Sequence, residues 1–295
     1  MTHHRRFQPG RVLAWAVLLF FMLFSLLPIW IMFKTALTYP KDVFTSGTSL
    51  LPAGTTLLNF ERVLGLLSAH ENYILGGTEA SINFALALRN TVIYTGLIVI
   101  FQTLFSAMAA YAIARLRFIG RNLLFYMFLS ALMIPQIVLF IPNFILIREL
   151  GWLNTFAGLV APSILFGPFS VFFLRQFFLQ IPKELEESAR IDGASFFTVF
   201  WRLILPISWP PLATLILLNS IQMWNDFFWP FLVGRNSHVQ VLSVALQFFQ
   251  TQTPEGIPDW TGLMAGAALA SIPVFLLLLF LGRRVVQSIQ FSGFK

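Results

Sequence analysis

Long apolar runs with few or no charged residues recur along the chain, and short polar segments separate them. A helix needs about 20 residues to cross the hydrocarbon core of a bilayer, so each run is long enough to form one span. The pattern predicts an all-α polytopic membrane protein with six transmembrane helices. The predicted spans cover residues 12–33, 84–114, 122–144, 154–174, 203–229 and 261–281.

The composition agrees with this interpretation. Hydrophobic residues make up 57% of the 295 residues and charged residues 11%, whereas soluble domains carry about 25% charged residues. No cysteine occurs, which excludes disulfides, thiolate zinc sites and a cysteine nucleophile. The first run follows Arg5, Arg6 and Arg11 but is longer than the roughly 7–15 apolar residues of a secretory signal, and no cleavage site follows it. It is therefore expected to remain as the first helix.

The distribution of Lys and Arg predicts the orientation. With the N-terminus inside, 13 of the 19 Lys and Arg residues lie in inner segments, as the positive-inside rule requires. Both termini, residues 1–11 and 283–295, are then cytoplasmic, and residues 34–83 and 234–260 form outer segments. The formal net charge of +7 follows from this topology, so nucleic-acid binding is not expected.

One charged segment interrupts the apolar sequence, IPKELEESARIDGASFFTVFWRLILP at 181–206. Pro182 suits the first position of a helix, and Asp192-Gly193 is a turn dipeptide that can end it. Ser195 is a candidate N-cap for a second short helix. From the residues alone, two interpretations stay open: an amphipathic loop on the membrane surface, or a compact docking element for a protein partner.

The spacing in this segment resembles a family signature. Glu187-Ser188-Ala189, three residues, Gly193, nine residues and then Leu203-Ile204-Leu205-Pro206 resemble the E-A-A-x3-G-x9-I-x-L-P pattern of permease subunits of binding-protein-dependent ABC importers. Ser188 replaces the first Ala of the pattern, and Leu203 replaces Ile. Three further blocks are similar to carbohydrate-importer permeases of the MalG type: AAYAIARLRFIGR from Ala109, MIPQIVLFIPNFIL from Met133 and MWNDFFWP from Met223.

The resemblance implies the type I ABC importer permease fold, with residues 84–282 as a five-helix permease core and 181–206 as a coupling loop with a cytoplasmic coupling helix. It also implies a bacterial-type cytoplasmic (inner) membrane and four kinds of partner. These are membrane lipid, a second homologous permease that usually makes a hetero-dimer, two ATP-binding subunits and an extracytoplasmic solute-binding protein. No G-x4-G-K-[ST] motif occurs, so ATP and Mg are expected on the partner subunits, and the chain itself is expected to be neither an enzyme nor a cofactor binder.

The resemblance assigns ATPase coupling to seven residues. Glu187 would be a charge anchor, Ala189 would allow close approach, and Gly193 would allow the turn. The full set is Glu187, Ser188, Ala189, Asp192, Gly193, Leu205 and Pro206. The outer loop 234–260 matches in position the loop that reaches into the binding protein in maltose-type systems, although a plain solvent loop fits its composition equally well.

Candidate substrate-pathway residues come from the fifth predicted span. Asn219, Gln222 and Asn225 have amide groups that suit sugar hydroxyls, and their spacing of three places them along one helix face. Asp226 is ionisable within the span, so it is a candidate either for structure or gating or for solute contact. No metal-ligand cluster is evident at workable spacing.

The resemblance leads us to expect import of a di- or oligosaccharide. A phosphorylated polyol or other solute is the first alternative. An ion-coupled secondary transporter is a weaker alternative, because the chain has almost no mid-membrane charge and no evident internal repeat.

Overall fold

The computed structural model describes residues 9–44, 49–52, 54–74, 82–251 and 258–291. Most of the predicted cytoplasmic segment 1–11, residues 252–257 of the predicted outer loop and residues 292–295 of the tail lie outside the described residues. All regular structure within the described ranges is helical. The chain divides into two compact units, one of residues 1–82 and 246–269, the other of residues 83–245 and 270–295.

The α-helices are numbered here in chain order. Their bounds are α1 Pro9–Ala36, α2 Leu58–Val63, α3 Ala69–Ile74, α4 Phe84–Arg115, α5 Arg121–Leu132, α6 Gln136–Glu149, α7 Phe156–Val160, α8 Pro168–Gln180, α9 Lys183–Ile191, α10 Phe196–Val199, α11 Leu205–Ile207, α12 Trp209–Trp224, α13 Phe228–Val233, α14 Leu242–Leu246, α15 Phe248–Thr251 and α16 Trp260–Phe291. A short 3₁₀ turn covers Pro40–Asp42, and a π-helical turn covers Phe200–Ile204.

Three of the described helices, α1, α4 and α16, are long and apolar enough to cross a bilayer. The number becomes five if each of two bent helix pairs is counted as one span. The first pair, α5 and α6, bends by 101°, and the second, Phe196–Ile207 with α12, bends by 77°. The all-helical, multi-spanning architecture is therefore confirmed, with three to five candidate spans where the sequence predicts six.

Proline explains where the predicted spans are interrupted. Pro135 precedes α6 in extended geometry, and because proline lacks an N–H and disfavours a helical residue before it, α5 ends at Leu132. The predicted fourth span, 154–174, is not one continuous helix: α7 ends at Val160, and Pro168 begins α8. The predicted fifth span contains Ser208, where the second bent pair changes direction before Pro210 and Pro211.

In the larger unit, α4 forms the centre of the packing. Ala107 and Ala110 of α4 belong to one apolar cluster with Leu174 and Phe178 of α8, and all four are fully buried. Small residues on one helix leave room for large side chains on the next, so this arrangement brings α4 and α8 close together. The packing holds the charged segment that follows α8 against the end of α4.

In the smaller unit, a buried polar network surrounds α2. Asn59 donates from Nδ2 to the carbonyl oxygens of Ala36 and Thr38, both at 2.8 Å. Arg62 pairs with Asp259, and both side chains are almost completely buried. Arg62 also donates from Nη1 to Asn59 Oδ1 at 3.1 Å. The network therefore joins the end of α1, α2 and the residue that precedes α16.

Candidate functional site

The charged segment 181–206 folds as two short helices separated by a left-handed glycine. Gly193 has φ of +85°. Its N–H donates to Arg190 O, and the N–H of Ala194 donates to Ala189 O, both at 3.0 Å. This pair of bonds is the Schellman motif, which satisfies the last carbonyl groups of α9. The sequence prediction of a helix stop at Gly193 is confirmed.

A side-chain cap begins the second short helix, α10. Ser195 Oγ accepts the N–H of Thr198 at 3.2 Å, so the predicted N-cap is confirmed. The guanidinium of Arg190 lies 4.3 Å from the centre of the Phe196 ring, a cation–π contact across the turn. Pro182, predicted at the first helical position, instead precedes α9 as its cap. The two helices are thus fixed to one another by local contacts.

One face of α9 is attached to the rest of the unit through Glu186. Glu186 Oε1 lies 2.9 Å from Arg115 Nε, and Glu186 Oε2 accepts the hydroxyl of Tyr111 at 3.3 Å. Arg115 also donates from Nη2 to the carbonyl oxygens of Phe178 and Ile181. The end of α4 therefore holds both the end of α8 and the start of α9. No local pattern in the sequence links Glu186 to this contact, because its partner is 71 positions away.

The opposite face of α9 is exposed, and we call Glu187, Ser188, Ile191 and Asp192 the outward face. Ile191 is 86% exposed although it is a large apolar residue. All three polar members are exposed as well. The outward face thus presents one large apolar side chain among polar residues, on a helix whose opposite face is attached to α4.

The other members of the predicted coupling set lie elsewhere in the segment. Ala189 is half-buried against the α4–α8 cluster, as is Leu205 of α11. Pro206 is exposed and lies in α11, beyond the π-helical turn. The structure therefore places Glu187, Ser188 and Asp192 on one surface, while Ala189 and Leu205 contribute to packing.

The predicted pathway amides do not share one environment. Asn219 is buried, and its Nδ2 lies 3.5 Å from Ser170 Oγ. Gln222 and Asn225 are exposed on the unit, and Asn225 ends α12 by donating to Ile221 O at 2.7 Å. Three residues rotate by about 300° around the axis of an α-helix, which is about 60° short of a full turn. The direction of the side chain therefore drifts by about 60° at each step of three. That drift separates Asn219 from Asn225.

Asp226 lies in the break between α12 and α13, where it makes several hydrogen bonds. The hydroxyl of Tyr94 donates to Asp226 Oδ2 at 2.6 Å, and the hydroxyl of Ser243 donates to Asp226 O at 2.7 Å. Asp226 thus attaches the break to α4 and to α14, which supports the structural one of its two interpretations.

Tyr94→Phe should lower the stability of the larger unit by about 1–3 kcal/mol, because it leaves a half-buried carboxylate oxygen without its hydroxyl donor. Thermal unfolding of the purified protein in detergent measures the effect. Tyr126→Phe is the matched control, since Tyr126 is 62% exposed. Equal unfolding temperatures for the two variants would contradict a structural role of the Tyr94–Asp226 bond.

Comparison with known proteins identifies the family. The family model described as "Binding-protein-dependent transport system inner membrane component" matches residues 102–291, which include both the charged segment and Asp226. The chain belongs to this family. It is the inner-membrane permease of an ABC importer, a component that is not itself catalytic.

Curated relatives of the permease match over most of its length. It is 34% identical to the arabinooligosaccharides transport system permease AraQ of Halalkalibacterium halodurans, over 85% of this chain and 87% of the relative. It is 31% identical to the trehalose/maltose transport system permease MalG of Thermococcus litoralis, over 88% of each chain. It is also 31% identical to the sn-glycerol-3-phosphate transport system permease UgpE of Salmonella typhi, over 90% of each chain.

A solved structure has the same fold as the permease. It belongs to a bacterial ABC transporter involved in the import of the acidic polysaccharide alginate. The TM-score is 0.77 at 24% identity, and the match covers 96% of this chain and 99% of the other. Among the described residues, no three His, Asp or Glu side chains converge as a metal site would require.

Proposed function

We propose that the permease forms part of the translocation path for a di- or oligosaccharide that an extracytoplasmic binding protein delivers. The relatives named for arabinooligosaccharides and for trehalose and maltose carry this proposal. The path would use the amides near the end of α12, where Gln222 and Asn225 are exposed. A neutral sugar is recognised by such amides without the fixed cations that a phosphate requires.

The relative named for sn-glycerol-3-phosphate supports a phosphorylated polyol as the second candidate. Uptake by cells with and without this permease separates the candidates, with labelled arabino-oligosaccharide, maltose and glycerol 3-phosphate as the probes. We expect permease-dependent uptake of a sugar. Uptake of glycerol 3-phosphate alone would support the second candidate, and uptake that an ionophore abolishes at constant ATP would contradict an ATP-driven importer.

The proposed complex contains a second homologous permease, two ATP-binding subunits that hold ATP and Mg, and the binding protein. Both termini would be cytoplasmic, and residues 234–260 would face the binding protein outside. The outward face of α9 would contact an ATP-binding subunit through Glu187, Ser188 and Asp192. Their exposure supports this assignment, as does the attachment of the opposite face to α4 through Glu186.

The contact is testable because the native chain has no cysteine. In Ser188→Cys, the single thiol should crosslink to a P-loop ATPase when gently extracted native membranes are treated with a short crosslinker. Ser237→Cys is the matched control: Ser237 is also exposed, but it lies on the segment expected outside. Mass spectrometry identifies the attached protein. A folded Ser188→Cys protein that crosslinks to no ATPase, or an equal yield from Ser237→Cys, would contradict the proposed docking.

A further inference from the structure

Arginines line a cleft where α4 ends and α5 begins. The cleft has a volume of about 430 Å³, and Arg117 and Arg121 are its charged residues. We call it the arginine cleft; its lining residues are Arg117, Phe118, Gly120, Arg121, Asn122 and Leu123. It contains no acidic side chain, so its charge is entirely positive.

The charge of this region is not balanced within the described part of the chain. Arg115, two residues before Arg117, is paired with Glu186. No described carboxylate lies at ion-pair distance from Arg117, Arg121 or Arg175. Arg121 and Arg175 instead repel one another. Two arginines that are close enough to repel each other, with no carboxylate at ion-pair distance, favour an anion from outside the chain, because the anion offsets this repulsion.

Aromatic packing holds one of these arginines in place. The guanidinium of Arg175 lies 3.8 Å from the centre of the Phe125 ring, which covers one of its faces. Its Nε is buried and has no hydrogen-bond partner among the described residues. Arg121 makes one long hydrogen bond, from Nη1 to Leu116 O at 3.4 Å. The Phe125 ring thus restrains the guanidinium of Arg175. Arg121 uses only one of its N–H groups in this hydrogen bond, so the others can bind another acceptor.

The position of the cleft along the chain places it at a bilayer surface. The candidate span α4 ends at Arg115, and the first bent candidate span begins at Arg121, so the short connection between them lies beside the headgroups. At its tip Ile119 is completely exposed, and Phe118 beside it is 39% exposed. Apolar side chains next to arginines are typical of chain that enters the boundary between headgroups and acyl chains.

We propose that the arginine cleft binds the headgroup of an anionic phospholipid. Arg117 and Arg121 would contact the phosphate, for which the guanidinium fork is well suited. Arg175, which repels Arg121, would add positive charge to the site, while Phe118 and Ile119 would enter the acyl boundary. The exposure of Ile119 favours a lipid over an acidic protein partner, because a lipid provides both the anion and the apolar environment. This site is additional to transport and to ATPase docking.

Lipid quenching of a single fluorophore tests the proposal. Leu123 is 65% exposed at the edge of the cleft, so Leu123→Cys can carry the label in the cysteine-free chain. The transporter, with its co-purifying subunits, is placed in nanodiscs of phosphatidylcholine. Increasing fractions of phosphatidylglycerol or phosphatidylcholine are then added, each with a nitroxide on the acyl chain near the headgroup. We expect phosphatidylglycerol to reach half-quenching at a lower lipid fraction than phosphatidylcholine does. The two fractions should differ by about fivefold for each arginine that contacts the headgroup.

Two variants make the test specific. Arg117→Gln with Arg121→Gln should abolish the preference for phosphatidylglycerol without changing the quenching by phosphatidylcholine or the unfolding temperature. Arg148→Gln, at the end of α6, should keep the preference. Equal quenching by the two lipids, or a preference that survives the double substitution, would overturn the proposal. Absence of quenching by either lipid would also overturn it, since the cleft would then be covered by protein.

Discussion

Gly193→Val is expected to leave the permease in the membrane while lowering solute-stimulated ATP hydrolysis by about 5- to 30-fold. Gly193 has φ of +85°, and a residue with a Cβ pays about 1–2 kcal/mol in that conformation. We expect the free segment of the variant to relax this strain by leaving the turn, so that docking must restore the turn and the affinity for the ATPase falls by the corresponding factor. ATP hydrolysis by the reconstituted complex, with and without binding protein and solute, measures it.

Gly193→Asn separates backbone strain from steric exclusion. A Cβ built at Gly193 has no neighbouring atom within 4 Å, so no side chain of the unit excludes a larger residue. Asparagine adopts the left-handed conformation much more readily than valine. We therefore expect Gly193→Asn to keep most of the activity. Equal loss in both variants would show that the surface contacted by the ATPase, not the turn, requires glycine.

Asp259→Asn is expected to destabilise the smaller unit by about 3–5 kcal/mol, because it leaves the positive charge of Arg62 buried without its partner. The asparagine retains an oxygen that can accept the N–H of Gly262, as Asp259 Oδ1 does at 2.9 Å, so the N-terminal cap of α16 is preserved. Thermal unfolding in detergent, followed by tryptophan fluorescence, gives the loss. Glu61→Gln, an exposed acid beside Arg62, is the matched control and should change little.

A double variant shows whether the buried charge causes this loss. Arg62→Leu with Asp259→Asn removes both charges and keeps the cap, and replacement of a buried ion pair by groups of similar volume is often close to neutral. We expect it to recover most of the stability lost in Asp259→Asn. A double variant as unstable as the single one would show that the hydrogen bonds of Arg62 to Asn59 and Thr261 matter more than its charge.

Local chemistry was predictable from the sequence, and distant pairing was not. The helix stop at Gly193 and the cap at Ser195 depend on the φ preference of glycine and on a hydroxyl three residues from its donor. By contrast, the inward contact of Glu186 depends on Arg115, which only the packing of α4 against α8 brings near. The signature drew attention to Glu187 because it recurs in a family, whereas Glu186 is recognised only through its partner.

The length of the apolar runs predicted correctly that the chain is helical, but it predicted the number of spans less well. The run 154–174 is long enough for a span, but Pro162 and Pro168 interrupt its backbone hydrogen bonding, and two helices form instead. A different limitation affected Asn219, Gln222 and Asn225. A spacing of three gives only an approximately shared face, because the side-chain direction drifts by about 60° at each step, and the buried or exposed state of each position then depends on the neighbouring helices.

The 77° bend at Ser208 sets the helical stretch from Phe196 to Ile207 at an angle to α12, with Ser208 as the pivot between them. Twelve helical residues extend about 18 Å, so a tilt of about 10° at the pivot displaces the far end by about 3 Å. A displacement of about 3 Å beside α9 therefore corresponds to a rotation of only about 10° about Ser208. Phe200 and Ile204, the two ends of the π-helical turn in this stretch, are buried in the α4–α8 cluster, so such a displacement would also change the packing of that cluster.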